Sequence, residues 1–305
     1  FGNPMKAYFP YDLNNLRGTT YGMVKATPFG NTLTKDFTLE ALKNEQLGKD
    51  EFTDLLAVSF SSTDYVGHQF GPYSIEIEDT YLRLDRDLEN MISAIEAEVG
   101  KGNVLFFLTA DHGAVPSPGF LKQNKIPSGV FNEKKMLDSL NKFLGNSYNA
   151  NNLVSYYTNQ QIYLNYPEME KKSIQIKELQ ERVSAFVLQF DGVANVTASV
   201  NLKYMSTLSP WEKMIKNGYN PKRSGDIIIS FKPGWLEGRE KGTTHSEAYV
   251  YDTHIPLLWY GWNISQGETV SPVDITDIAP TLSNLLSISF PNGSVGNPIP
   301  LPIKK

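Results

Sequence analysis

Apolar residues recur with two different spacings along this chain, and the two spacings predict different elements. From Ile75 to Val99 they recur every three or four positions with charges between them, which predicts an amphipathic helix. Short uninterrupted apolar runs flank that helix at Asp54–Phe60 and Val104–Leu108, and each run leads into polar residues. Such runs predict buried strands. Strand, helix and strand in this order predict a βαβ unit with parallel strands.

Residues 116–234 mix the two spacings and predict an α+β insertion. A hairpin is expected over Asn152–Asn165, with its turn near Asn159-Gln160. A long helix is expected over Glu168–Phe190, because Pro167 stands where a helix begins. The other expected elements are helices over Glu133–Leu144 and from Ser209, and strands over Val193–Val200 and Asp226–Phe231.

The two ends of the chain complete the predicted fold. The first 50 residues predict loops with one short helix, Thr38–Lys43. Near the other end we expect a strand over Ile255–Tyr260, a helix over Val273–Leu286 and a surface tail over Ile299–Ile303. The predicted fold class is α/β: part of a doubly wound, mostly parallel sheet formed by residues 1–115 and 235–305, with the α+β lobe 116–234 inserted.

Composition excludes several classes of function. The formal charge of −5 argues against nucleic acid as a partner, because phosphate backbones require a basic face. No window approaches 18 uninterrupted apolar residues, so we predict no membrane span. The chain has no cysteine, so any metal must be held by nitrogen and oxygen ligands. It begins Phe1-Gly2-Asn3-Pro4 rather than with Met, and we expect a segment upstream.

The chemistry is expected where polar motifs follow the predicted strands. Asp64 and His68 follow the first strand, and Asp111 and His112 follow the second. Ligands bind at the carboxyl ends of strands in doubly wound sheets, so both pairs are expected at one edge. His245 reaches that edge only if its Gly-Thr-Thr loop folds back. Imidazole and carboxylate are ligands that suit zinc and similar divalent ions.

Spacing alone leaves a metal site and simple hydrogen-bonded turns both open. The first Asp/His pair stands four positions apart in a predicted Gly-containing loop and can share one ion. Asp111 and His112 are adjacent, so they need a turn, which Gly113 would permit. Five such ligands are too many for one tetrahedral zinc, and with a sixth from elsewhere they would make a two-metal site. Asp252, Asp274 and Asp277 are expected to bound helices and turns.

Three motifs resemble those of the alkaline phosphatase superfamily, in the branch of type I phosphodiesterases and nucleotide pyrophosphatases. They are Ser59–Pro72, Leu108–Gly113, and Gly242–His245 followed by Tyr251–Leu258. Within that branch they are most similar to the bacterial PafA-type alkaline phosphatases, which hydrolyse phosphate monoesters. The resemblance covers nearly all of this chain. It implies that the chain corresponds to the C-terminal portion of the family's proteins.

The resemblance implies two zinc ions that clamp a phosphoryl group. It assigns Asp64, His68 and His245 to one ion, and Asp111 and His112 to the other. Thr109 and His254 are candidates for contacts behind these ligands, and a purely structural role for His254 stays open. Ser246 follows His245 where relatives commonly have Gly.

Several family features are expected upstream of the chain. They are the remaining zinc ligand, the Thr or Ser nucleophile at a helix start, and the Asn and Lys/Arg pair that contact phosphate. Thr19, Thr20 and Thr32 stand in predicted loops without the matching context, so no catalytic residue is assigned in this chain. The resemblance therefore implies the C-terminal part of a zinc-dependent phosphomonoesterase, inactive or nearly so alone.

Further expectations rest on the resemblance. The alternative functions are a phosphodiesterase or nucleotide pyrophosphatase, and a non-catalytic metal-binding relative. A half-built centre is expected to bind metal weakly and to stay unoccupied in this chain alone. The implied partners are a phosphate ester substrate and a second copy, paired through an exposed sheet edge. The family also implies a periplasmic or otherwise exported bacterial protein.

Overall fold

The computed structural model describes residues 9–14, 18, 20–202, 204–205 and 209–302. The chain forms two compact units. The first unit contains residues 1–30, 61–82 and 113–254, and the second contains residues 31–60, 83–112 and 255–305. All of the predicted lobe 116–234 lies in the first unit.

The described residues form helices and strands in alternation. The α-helices are α1 Pro28–Asn44, α2 Ser62–Phe70, α3 Ile75–Val99, α4 Pro118–Gln123, α5 Glu133–Tyr148, α6 Tyr166–Lys171, α7 Ile176–Val187, α8 Ser199–Leu202, α9 Pro210–Gly218, α10 Val250–Thr253 and α11 Ile278–Leu285. The strands are β1 Leu105–Thr109, β2 Gly129–Phe131, β3 Val154–Thr158, β4 Gln161–Leu164, β5 Val193–Ala198, β6 Ile227–Phe231, β7 Trp235–Glu237 and β8 Leu257–Gly261. Among the described residues, 3-10 helices also cover Tyr21–Ala26 and Ile275–Asp277.

The strands pair in three small sheets. The first unit holds an antiparallel sheet with the order β3-β4-β6-β5 and a parallel pair, β2-β7. The second unit holds the antiparallel pair β1-β8. The predicted α/β class is confirmed, with mixed parallel and antiparallel pairing.

The core of the first unit forms where α5 and α7 pack on the four-stranded sheet. Helix α5 buries Met136, Leu140 and Leu144 on one face, because residues four apart share a side of a helix. The sheet contributes Ile162 and Phe231, which are also fully buried. This lobe therefore has a continuous apolar core of its own.

The hairpin β3-β4 turns where it was predicted. Asn159 and Gln160 have φ angles of 46° and 61°, the left-handed pair that suits the twist of a two-residue hairpin turn. The single long helix predicted over Glu168–Phe190 is wrong, because this segment forms two helices, α6 and α7. Ser173 has a φ of 55°, and the Ile174 N–H donates to the Met169 carbonyl, which ends α6 before α7 begins. The break lets Met169 and Ile174 both reach the lobe core.

In the second unit, α1 and α3 pack through Leu42, Met91 and Ile95. Helix α3 has the predicted bounds. The parallel βαβ unit predicted around it is wrong, because its first strand does not form, and β1 pairs antiparallel with β8 instead. Residues 54–60 carry no strand in the described chain, and the Leu55 side chain is 69% exposed. An apolar run becomes a strand only where another strand takes up its backbone hydrogen bonds.

The chain ends differ from prediction in length rather than kind. The short predicted helix Thr38–Lys43 lies inside α1, which begins at Pro28, and Thr32 is therefore helical and donates to Asp87 Oδ2 at 2.7 Å. Thr20 caps the first 3-10 helix, whereas Thr19 lies outside the described residues.

The C-terminal segment is held by hydrogen bonds to the elements before it. The predicted helix Val273–Leu286 is a 3-10 turn followed by α11, with Asp274 and Asp277 forming a capping box as expected. The Ile299 N–H donates to Thr281 Oγ1 at 2.8 Å, which holds the predicted tail as far as it is described. Among the helices of the described residues, none combines the length and the apolarity that crossing a bilayer would require.

Candidate metal centre

Asp64 and His68 lie on helix α2, and the loop predicted for them is wrong. Ser62 and Val66 are buried four positions apart, so this short segment has one inward face and forms a helix. Gly71 ends it with a φ of 90°, and its N–H donates to the Gly67 carbonyl at 2.8 Å. Spacing of four on a helix places Asp64 and His68 side by side.

The loop that carries His245 folds back onto the end of α2. Gly242 has a φ of 87°, and a Cβ there would lie 2.2 Å from the His68 carbonyl oxygen, so only glycine fits. The Thr243 N–H donates to that same oxygen at 3.2 Å, and the Thr243 hydroxyl donates to the Val115 carbonyl. These contacts explain how a residue distant in sequence returns to the helix.

Three potential ligands meet in the first unit. His68 Nε2 lies 3.3 Å from Asp64 Oδ2, and His245 Nε2 lies 3.8 Å from Asp64 Oδ1. The two imidazole rings have centroids 5.1 Å apart and are tilted by 45°. All three side chains are half-buried. Each oxygen of one carboxylate therefore faces one imidazole nitrogen.

The donor chemistry of this cluster fits a divalent metal ion. His68 Nδ1 lies 2.9 Å from the Thr243 carbonyl oxygen, which only accepts, so Nδ1 carries the hydrogen. The lone pair of the neutral ring then lies on Nε2, toward Asp64. A lone pair and a carboxylate oxygen that lie 3.3 Å apart can bind one divalent cation together. A histidine whose other nitrogen donates to a carbonyl is the usual arrangement at metal sites.

Asp111 and His112 lie in the second unit, just beyond the end of β1. His112 Nε2 is 3.6 Å from Asp111 Oδ2, and the His112 N–H donates to Asp111 Oδ1 at 3.1 Å. The Asp111 side chain is largely exposed. The two side chains, adjacent in sequence, are thus brought to the same side of the backbone by a bend, as their chemistry requires.

The role predicted for Gly113 needs correction. Its φ is not in the left-handed region. A Cβ at Gly113 would instead lie 2.1 Å from the Tyr251 carbonyl oxygen, and its N–H donates to the Asp252 carbonyl at 2.7 Å. The glycine is therefore required for close approach of two backbone segments rather than for a special backbone angle.

The two candidates for contacts behind the ligands stay predictions. The Thr109 hydroxyl lies 3.4 Å from the carbonyl of its neighbour Ala110, which is a weak local contact. His254 ends α10, where its backbone N–H donates to the Val250 carbonyl at 2.9 Å and its side chain is exposed.

The departure at Ser246 has a structural consequence. Ser246 has a φ of 129°, a backbone region that residues with a Cβ rarely occupy. A glycine would adopt this angle without strain. The residue after His245 is therefore held in its conformation by its surroundings.

A partly buried carboxylate beside this loop, that of Glu247, has no signal in the sequence. Burial raises the pKa of Glu247 to about 7, although the hydrogen bond from the Phe231 N–H at 3.0 Å opposes the rise. Its burial arises from tertiary packing, so a single sequence gives no indication of it.

The chain matches the sequence model of the family described as type I phosphodiesterase / nucleotide pyrophosphatase over residues 5–257. It is 44% identical over 300 residues to alkaline phosphatase PafA of Elizabethkingia meningoseptica, which covers 98% of this chain and 55% of the relative. It is 44% identical over 296 residues to a Myroides odoratus protein named calcium-transporting ATPase, covering 95% and 54%. Alkaline phosphatase PhoV of Synechococcus elongatus is 42% identical over 291 residues, covering 95% and 52%.

The fold agrees with these relatives. The crystal structure of wild-type alkaline phosphatase PafA matches with a TM-score of 0.88 at 44% identity, covering 93% of this chain and 54% of that chain. The chain thus spans about half the length of the curated relatives that it matches. The motifs that carry Asp64, His68 and His245 fall within the matched residues 5–257, whereas α11 lies beyond them. The chain belongs to the type I phosphodiesterase/nucleotide pyrophosphatase family.

Proposed function

We propose that this chain is the metal-binding part of a zinc-dependent phosphate-monoester hydrolase of the alkaline phosphatase type. The observation that carries the proposal is the convergence of His68 and His245 on the two oxygens of Asp64. Relatives named as alkaline phosphatases, at 42% and 44% identity, support the reaction class.

Asp64, His68 and His245 would hold one ion, and Asp111 with His112 would contribute to a second. Zinc bound there would supply Lewis-acid stabilisation of charge on a phosphoryl oxygen. The contribution of the chain itself is orientation. Helix α2 holds Asp64 and His68 on one face, and the Thr243 carbonyl fixes the ring of His68. Nitrogen and oxygen donors of this kind suit zinc, in a chain that has no cysteine.

We further propose that the nucleophile and the remaining ligand belong to a part of a longer protein that this chain does not include. The length of the relatives, about twice the matched span, supports this proposal. A centre with only part of its ligands binds metal weakly, because each ligand contributes to affinity. The chain alone is therefore expected to show little or no turnover.

The test is a comparison of this chain with a parent of the length of its relatives. Both would be assayed with zinc on p-nitrophenyl phosphate, a monoester, and on bis-p-nitrophenyl phosphate, a diester. We expect the parent to prefer the monoester and the chain alone to be inactive. A preference for the diester would favour a phosphodiesterase or pyrophosphatase, and a parent that binds zinc without activity would favour a non-catalytic relative. Robust turnover by this chain alone would overturn the assignment of the nucleophile elsewhere.

We propose a second copy of the chain as a partner, paired through an exposed sheet edge, and an apolar sheet face in the second unit supports association. Leu108 and Leu258 pair across β1 and β8, and Tyr260 lies on the same face two residues along. All three side chains are exposed, Leu258 by 62%. Exposed apolar surface of this kind favours association. Sedimentation at increasing protein concentration should show dimers, whereas a monomer throughout would count against this interface.

Export to a bacterial periplasm is likewise proposed, from the family alone.

A further inference from the structure

We infer that Asp252 is a positioning residue for the metal centre, which holds the backbone directly after His245 and the backbone at Gly113. The inference rests on the proposed function, since it assumes that His245 and His112 bind metal. Asp252 itself is not a ligand in this proposal.

The side chain of Asp252 holds the residues directly after His245. Asp252 is 4% exposed, and its Oδ2 accepts hydrogen bonds from the Ser246 N–H at 3.1 Å and the Glu247 N–H at 2.9 Å. Two N–H donors on one carboxylate oxygen make charge-assisted bonds, which are stronger than bonds between neutral groups. These bonds also explain how Ser246 keeps a φ of 129°.

The backbone of Asp252 holds a second segment. Its carbonyl oxygen accepts the Gly113 N–H at 2.7 Å, and Gly113 follows His112 directly in the chain. The two segments are in contact so close that a Cβ on Gly113 would lie 2.1 Å from the Tyr251 carbonyl oxygen. Asp252 therefore holds the backbone after His245 through two bonds to its side chain, and the backbone at Gly113 through one bond to its carbonyl.

Asp252 can position these segments because it is itself anchored to the lobe core. Its N–H donates to the Tyr249 carbonyl at 2.9 Å, at the start of α10. The Tyr249 hydroxyl donates to the Phe231 carbonyl at 2.8 Å, and the Phe231 N–H donates to Glu247 Oε1 at 3.0 Å. Phe231 is fully buried in β6. The support of the His245 loop thus extends continuously to the four-stranded sheet.

Metal binding is sensitive to such support, because ligand distances must hold within about 0.2 Å. Residues that orient ligands from behind change metal affinity by about 10–100-fold when they are removed. Asp252→Ala would leave two N–H groups without their acceptor and free the loop that carries His245. A merely structural role would lower stability without changing the metal affinity of the folded protein.

The experiment compares Asp252→Ala and Asp252→Asn with the unaltered chain. The control is Asp274→Ala, which removes a capping carboxylate at Ile275–Asp277 in the second unit. Zinc affinity would be measured by calorimetry well below the melting temperature of each variant. Amide hydrogen exchange would be measured on the metal-free chain at Thr243 and Gly113, whose acceptors, the carbonyls of His68 and residue 252, survive the substitution.

Asp252→Ala is expected to weaken zinc binding by about 10–100-fold and to speed exchange at Thr243 and Gly113. Asp252→Asn keeps an acceptor without the charge, so its zinc affinity should lie between those of Asp252→Ala and the unaltered chain. The control, Asp274→Ala, should bind zinc as the unaltered chain does. Should the alanine variant fail to fold, an asparagine variant with unchanged affinity and exchange would overturn the inference. Unchanged affinity and exchange in a folded alanine variant would also overturn it. If His245→Ala leaves zinc binding intact, the proposed function fails, while the exchange data still decide whether Asp252 holds the loops.

Discussion

The Nδ1–H of His68 donates a hydrogen bond to the carbonyl oxygen of Thr243 across 2.9 Å. This bond fixes the ring so that Nε2 faces Asp64 at 3.3 Å. It also ties α2 to the loop that delivers His245, two residues beyond Thr243. The bond therefore sets both the tautomer of one potential ligand and the position of the next.

The two nitrogens of His68 can be separated by substitution. In His68→Asn the side-chain amide can replace Nδ1–H as the donor to Thr243, but nothing replaces Nε2. We expect this variant to unfold at nearly the normal temperature and to lose the stabilisation that zinc gives to the unaltered chain, which follows from mass action. His68→Ala should unfold at a lower temperature and should also lose the stabilisation by zinc, because it has neither the donor to Thr243 nor Nε2. Thermal unfolding with and without zinc measures this, and an equal shift by zinc in all three proteins would contradict the proposed ligand.

Strain at Ser246 predicts a stabilising substitution. Ser246→Gly should raise the free energy of unfolding by about 1 kcal/mol, because glycine adopts a φ of 129° without the steric cost of a Cβ. Ser246→Ala keeps the Cβ and should bring no gain. Urea unfolding of the metal-free variants compares them. Equal stability of the glycine and alanine variants would show that the backbone angle stores no strain.

Close approach at Gly113 predicts the opposite effect. In Gly113→Ala the new Cβ would lie 2.1 Å from the backbone oxygen of Tyr251, and backbone cannot swing aside as a side chain can. We expect a loss of about 2 kcal/mol or more in the free energy of unfolding. Gly267→Ala is the matched control, because a Cβ there meets nothing within 4 Å. A Gly113→Ala variant as stable as that control would refute the close contact.

Glu237 predicts a dependence of stability on pH. Burial raises its pKa above the ordinary 4.5, the hydrogen bond from Tyr157 opposes the rise, and Glu133 adds to it. A carboxyl whose pKa is raised in the folded state contributes fully to the stability of the fold at pH values below its pKa in the unfolded chain. That contribution is lost as the pH rises through the folded pKa. Glu237→Gln removes this loss, so its stability relative to the unaltered chain should increase from pH 4.5 upward.

Tyr157→Phe is the companion variant for this prediction. It removes the hydrogen bond that favours the charged form of Glu237, so the loss of stability with rising pH should become larger. Urea unfolding of the three proteins at about pH 4.5 and about pH 7.5 gives the comparison. A difference between Glu237→Gln and the unaltered chain that does not change with pH would contradict the raised pKa.

Local pattern determined those elements whose signal is long or chemically specific. The apolar spacing over α3 runs for the whole helix, and the turn at Asn159-Gln160 begins with an asparagine, which tolerates left-handed backbone. Residues 54–60 show the limit of this reasoning, because an apolar run indicates burial but says nothing about a pairing partner. The sequence does not predict the break at Ser173 either, because the break depends on tertiary packing: Met169 and Ile174, on either side of it, both pack into the lobe core.

The candidate site divides along the same line. The sequence motifs and the chemistry of their residues were enough to predict Asp64, His68 and His245 as ligands. The sequence did not reveal that α2, rather than a loop, presents the first two, nor that Gly242 packs against the His68 carbonyl. The importance of Asp252 and Glu247 also depends on burial, which arises only when distant segments pack together.

The most direct test of the central claim is a calorimetric zinc titration of this chain and of two single histidine variants. His245→Ala removes a proposed ligand, whereas His254→Ala removes an exposed imidazole nine positions further along the same chain. We expect His254→Ala to change zinc affinity by less than about 100-fold, because His254 is at most a contact behind the ligands. His245→Ala should weaken binding by more than about 100-fold, beyond the effect typical of residues that merely orient ligands. Equal zinc affinity in the two variants would contradict a metal centre built on Asp64, His68 and His245.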